Sequence, residues 1–110
     1  MKSSEILRRA REILEPEGAW TQRSLARAAD GVPIHETHRD AACWCSLGAI
    51  YRTLGSRQSI YRGREAVRFI QRIIDAPLMA WNDDPLRTHD EVLDAFRRAE
   101  AEALRMEALP

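Results

Sequence analysis

Apolar positions along this chain recur mostly at intervals of three and four, the spacing of a single helix face. Ile6, Leu7, Ala10, Ile13 and Leu14 make the first stripe. Ser3 or Ser4 can cap it, and Pro16 and Gly18 stop it, so a helix is predicted over 3–15. Thr21 reads as a second N-cap. Trp20 before it and Leu25 after it stand at the spacing of a hydrophobic staple, and Asp30-Gly31 ends the pattern; a helix over 21–29 is expected. Residues 30–39 are polar and offer at most a very short extended piece at Val32–Ile34. Asp40 is a third cap candidate, and 41–54 is apolar almost all round, as a buried central helix would be. Gly55 suits the residue that ends it. Gly48 falls inside it, where glycine costs about 1 kcal/mol against alanine. A glycine there implies close approach of another helix or of a ligand.

The second half is simpler. Ala66, Val67, Phe69, Ile70, Ile73 and Ile74 predict a helix over 63–75 after a loop at 55–62. Residues 78–81 form one short apolar turn after Pro77, and Asn82-Asp83-Asp84-Pro85 is a strong turn signal. Thr88 and Glu91 have the spacing of a capping box. The last helix runs over 89–106 through Val92, Leu93, Phe96, Ala99, Ala103 and Leu104. The whole reads as a single all-α domain over 1–110, an orthogonal bundle of about five helices around 41–54. The turn at 81–88 is expected to close over the start of that central helix, bringing Cys45, Trp81 and Asn82 together.

Composition narrows the class. In 110 residues, 45% are hydrophobic and 31% charged, a globular balance. No apolar run approaches the roughly 18 residues of a membrane span. The start, Met-Lys-Ser-Ser-Glu, has no apolar secretion core. Two cysteines are too few for a disulfide framework, which fits a reducing cytoplasm. Net charge is zero, yet residues 1–72 carry thirteen basic and eight acidic side chains, and 73–110 carry four and nine. All but one of the basic residues are Arg, whose planar fork suits anions; a GC-rich coding bias gives the same composition.

Five constellations carry candidate chemistry. His35, His38, Cys43 and Cys45 are of zinc-ligand type, but their spacing matches no common zinc signature. On one helix Cys43 and Cys45 point apart, so zinc requires the helix to start after Cys45. A thiol nucleophile at Cys45 needs a base and an orienting group, for which His89 and Asn82 or Asp83 are available. Against this, Cys45 suits a buried hydrophobe and His89 an exposed first-turn residue. Residues 21–29 look like the first helix of a repressor-type helix-turn-helix, with one residue too many before the place of the recognition helix. Arg64, Arg68 and Arg72 share one helix face, with Arg57 and Arg62 nearby. That row suits a nucleic-acid phosphate or an acidic partner; the alternative is a solvated face paired with Asp90, Glu91 and Asp94. Trp20, Trp44 and Trp81 are core residues or the walls of a pocket, with Asn82 and Asp83 as candidate partners for the Trp81 N–H.

The ordered set Gly18-Ala19-Trp20-Thr21-Gln22, Leu25-Ala26, Cys43-Trp44-Cys45-Ser46-Leu47-Gly48-Ala49, Ala80-Trp81-Asn82-Asp83 and Arg87-Thr88-His89 resembles domain of unknown function 6197, a family of small bacterial and phage proteins. The likeness spans about residues 5–100. It implies a compact helical domain and brings no activity, substrate or cofactor. It singles out Trp20, Cys45, Gly48, Trp81, Asn82, Asp83 and Thr88 as signature positions. The family pattern has Gly where Arg23 stands, and Cys43 is not a fixed part of it, which weakens zinc. The expectation is therefore a soluble accessory protein without catalysis or cofactor, monomeric or homodimeric, that binds a macromolecule, either another protein or nucleic acid. The rival is a thiol enzyme or small-ligand binder built on Cys45, His89 and Asn82.

Overall fold

The first apolar stripe forms α1 (Ser3–Leu14), whose Ile6, Leu7, Ala10 and Leu14 are buried while Arg8–Glu12 and Arg9–Glu5 pairs lie on the wet side. A computed structural model describes residues 1–55 and 60–110. In it α1 is followed by β1 (Ala26–Ala28), β2 (Ala41–Trp44), α2 (Ser46–Leu54), α3 (Ile60–Ile74), α4 (Leu78–Asn82) and α5 (His89–Glu107). Five helices thus share the described residues with a small antiparallel two-stranded sheet, so the chain is not purely α.

The core lies between α1, α3 and α5, with Phe69, Ile70, Val92, Phe96 and Ala99 packed on the α1 stripe, and α2 adding Ala49 and Ile50. A radius of gyration of 13.1 Å matches the roughly 13 Å of a compact chain of about 100 residues. The start of α1 is not capped by its own serines. The Glu107 carboxylate, from the far end of α5, accepts from the Ser4 N–H at 3.2 Å and the Ser4 hydroxyl at 2.6 Å. That satisfies orphan donors and places negative charge at a helix N-terminus. The capping box forms as expected: Thr88 Oγ1 accepts from the Glu91 N–H at 3.2 Å, and Glu91 accepts from the Thr88 N–H at 2.9 Å. Gly55, in the left-handed region, ends α2. Among the described residues no helix is long and apolar enough to cross a membrane.

Two expected helices are corrected. Residues 21–29 are not helical: Arg23 takes φ 63° and Ala26–Ala28 pairs with Ala41–Trp44, with a bulge after Arg27. Tertiary pairing overrides the short helical pattern, no staple forms between Trp20 and Leu25, and the helix-turn-helix reading loses its first helix. Residues 41–54 divide at Cys45, the strand before it and the helix after it. Cys45, not Asp40, is the N-cap of α2, its Sγ accepting from the Gly48 N–H at 3.2 Å. The apolar residues of 41–44 are the strand partner of 26–28, which is why they show no helical period. The centre of the bundle is accordingly α1 and α5 rather than 41–54.

Candidate functional site

The short helix α4 ends on Asn82, whose side chain is fully buried at the N-terminus of α2. Its Oδ1 accepts from Trp20 Nε1 at 2.8 Å, the Ser46 N–H at 3.0 Å and the Ser46 hydroxyl at 2.6 Å. Its Nδ2 donates to the Thr21 carbonyl at 3.2 Å and to Asp83 Oδ1 at 3.0 Å. Asp83 Oδ1 also accepts the Arg23 N–H at 2.9 Å, and Gln22 Nε2 donates to the Asn82 and Asp84 carbonyls at 2.9 and 2.7 Å. One amide therefore holds the 20–23 segment, the start of α2 and the end of α4 together. Arg23 stands at a left-handed position where glycine would be unstrained.

Cys45 and Gly48 complete this junction. The Leu25 carbonyl accepts the Cys45 N–H at 3.2 Å and passes over Gly48 so closely that a Cβ there would stand 1.8 Å from the oxygen. Neither a helix nor a ligand demands Gly48; a backbone carbonyl does. Burial pushes the Cys45 thiol above its ordinary pKa despite the Gly48 N–H, so it stays protonated at neutral pH.

His89 is not an exposed first-turn residue. Its ring stacks on Trp20, centroids 6.1 Å apart and 9° from coplanar, and Nε2 lies 2.5 Å from the Leu14 carbonyl in the last turn of α1. It closes the C-terminus of one helix while opening another. The Trp20 N–H takes the Asn82 amide, and Trp44 donates to the Glu36 carbonyl at 3.0 Å. Trp81 lies under the Arg87 guanidinium, 3.9 Å from the ring centroid. Cys43 is on β2, its Sγ 3.9 Å from the Arg27 carbonyl. The His35 and His38 Nδ1 atoms accept the N–H groups of Thr37 and Asp40. Among the described residues no three His, Cys, Asp or Glu side chains gather as a metal site.

The α3 surface is different in kind. Arg64, Arg68 and Arg72 run along one exposed face and line an open groove of about 650 Å³ with Tyr61, Glu65, Phe69, Met106 and Glu107. Arg64 stands 5.3 Å from the Tyr61 ring centroid and Arg72 5.8 Å from that of Phe69. A second concavity of about 310 Å³, between α2 and α3, is lined by Leu47, Tyr51, Gly63, Arg64 and Val67. Among the described residues no carboxylate lies within 4.0 Å of the three guanidiniums. No close ion pair with Glu91 or Asp94 is made, since Glu91 serves Arg87 and Thr88 and Asp94 faces Arg98. Further along α5 the Glu102 carboxyl is held below its ordinary pKa by its hydrogen bond from Arg105 and, more weakly, by the charge of Arg72. Arg62 is exposed on the first turn of α3 and Arg57 lies outside the described residues.

Sequence reasoning missed Ser46, Gln22 and Arg27. Arg27 donates to Thr21 Oγ1 and to the Gln22 and Gly31 carbonyls, at 3.2, 3.1 and 3.0 Å. Ser46 carried a usable signal: a cap-type residue in the middle of a supposed helix marks a boundary. Glu36, buried at 1% exposure inside a polar loop, carried none.

The profile of a family of unknown function (DUF6197) matches residues 1–102. No curated protein and no solved structure matches the chain.

Proposed function

Because the chain belongs to a family whose description assigns no activity, we propose from the geometry that it is a non-catalytic binding module whose recognition surface is the Arg face of α3 and whose partner is an acidic macromolecule. The observation that carries this is the contrast in how its arginines are engaged. Arg8, Arg9, Arg11, Arg87 and Arg105 pair with carboxylates, and Arg27 and Arg52 bind loop carbonyls. Among the described residues Arg64, Arg68 and Arg72 bind neither, as is true of the exposed Arg62 and Arg97, and unlike those two they line one open groove in a row. Exposed like charges in a row cost self-repulsion unless an opposite charge relieves it.

The thiol-enzyme reading draws no support from the site. The Cys45 thiol is buried, protonated and receives the Gly48 N–H; the His89 Nε2 is engaged by Leu14; Asn82 is saturated. None of the three lines the α3 groove.

Retention on a heparin column at low salt tests the proposal. Wild type should bind and the Arg64→Gln/Arg68→Gln/Arg72→Gln variant should flow through, with each single change altering stability by less than about 0.5 kcal/mol. Equal elution of both proteins would sink it.

A further inference from the structure

From the exposed Tyr61 that stands at the end of the guanidinium row in the α3 groove, we infer that its partner is a single-stranded nucleic acid; this rests on the binding face just proposed. Positions four apart on a helix are separated by about 6 Å along its axis, so Arg64, Arg68 and Arg72 present charges over about 12 Å. That is a short, straight row suited to a few phosphates of one strand. An acidic peptide would need only the charges. The groove offers more.

Tyr61, 79% exposed, stands at one end with Arg64 against its ring, and Tyr51 lines the second concavity, which Arg64 also borders. An exposed tyrosine is the sequence-tolerant platform on which single-stranded bases stack, next to cations that follow the backbone. Met106 and the edge of Phe69 give the groove an apolar floor. The two carboxylates that line it do not cancel the row. Glu107 accepts from Ser4 yet keeps its charge, so with Glu65 it sets two carboxylates against three guanidiniums and the groove stays positive by one.

The dimensions argue against duplex. A volume of about 650 Å³ is that of a small-molecule site, enough to seat the bases of a short stretch of one strand while its phosphates follow the exposed arginine row. A duplex is read across a groove about 12 Å wide by an element that protrudes into it. Here the arginines sit in a concavity instead.

The test is fluorescence anisotropy with a labelled 15-nucleotide oligothymidylate, the same-length duplex and a poly-glutamate peptide, from 20 to 200 mM salt. Each phosphate neutralised on a single strand contributes about −0.7 to the slope of log affinity against log salt. Three contacts give a slope of about −2, a loss of about a hundredfold over that range. Arg68→Gln should flatten the slope by about 0.7. Tyr61→Ala should weaken binding by about tenfold and leave the slope unchanged, because stacking releases no counterions. Circular dichroism checks that each surface variant is folded.

Tighter binding of the duplex, or indifference to Tyr61→Ala, overturns the single-strand inference. Poly-glutamate binding that depends on Arg68 but not on Tyr61, with no binding of the oligonucleotide, also overturns it and leaves the acidic-partner reading standing. If none of the three probes binds at 20 mM salt, both readings fail together.

Discussion

The junction around Asn82 and the face of α3 are opposites. The first gathers the residue types that attract attention in a sequence, a cysteine, a histidine, a tryptophan and an asparagine, and commits their polar atoms to partners inside the fold. The second is built from plain arginines, and among the described residues leaves them without a carboxylate at ion-pair distance. Reactive-looking side chains become structural when every donor and acceptor is satisfied and dry. Ordinary ones become available for recognition when their counter-charges are placed elsewhere. The decisive quantity is the state of each group's hydrogen bonds, which residue type does not reveal.

The sharpest way to break this comparison is Asn82→Ala. It strands the Trp20 N–H, the Ser46 N–H and the Ser46 hydroxyl, each worth about 1–3 kcal/mol when left unpaired in the interior. A total loss of about 4 kcal/mol is expected in urea unfolding. A loss below about 1 kcal/mol would show that water replaces the amide and that the junction is open after all.

Gly48→Ala comes next. Its methyl would meet the Leu25 carbonyl at 1.8 Å, and backbone must shift, at a cost of about 3 kcal/mol. Little change would mean that the 20–25 segment is loosely attached to α2, and the urea midpoint decides between these outcomes.

The smallest effect belongs to Cys45. Its pKa is raised in the folded chain, so across the alkaline range that starts at the ordinary thiol pKa, about 8.5, the unfolded state holds fewer protons. Stability is flat below that range and falls as pH rises through it. Cys45→Ser keeps a capping oxygen without the titration, and should lose this part of the alkaline decline. An identical pH profile in both proteins would mean that the thiol is already in contact with solvent.

Much of the helical part was legible in the sequence. The α1 stripe, the α5 stripe with its capping box and the turn after Trp81 all declare themselves through local rules, and local rules are obeyed there. The segment 20–45 did not declare itself because its conformation is set from outside. Thr21 looks like a cap, but its carbonyl receives the Asn82 amide and its N–H binds Trp44. Arg23 looks helical, but its N–H is held by Asp83 in a left-handed turn. A thiol as N-cap lies outside the usual preference for Ser, Thr, Asp and Asn, so the start of α2 was set five residues too early. For the junction, the sequence pointed to Asn82 beside the start of a helix and to Gly48 as a close approach, but not to the carbonyl that approaches. For α3 the row of arginines was plain, while its want of carboxylates at ion-pair distance could be read only from the packing of α5.

The reach of the Asn82 side chain also bears on the order in which the molecule assembles. Its amide joins residues 62, 36 and 61 positions away in the chain, to Trp20, Ser46 and Thr21. Helices α1 and α5 can grow from local contacts, but these bonds exist only once three distant segments have met, and loop closure must precede any gain from them. Such topology slows folding relative to bundles with mainly local contacts. The lock at Asn82 therefore belongs late in the sequence of events. Substitutions there are expected to act chiefly by accelerating unfolding, with the refolding rate left almost as it was.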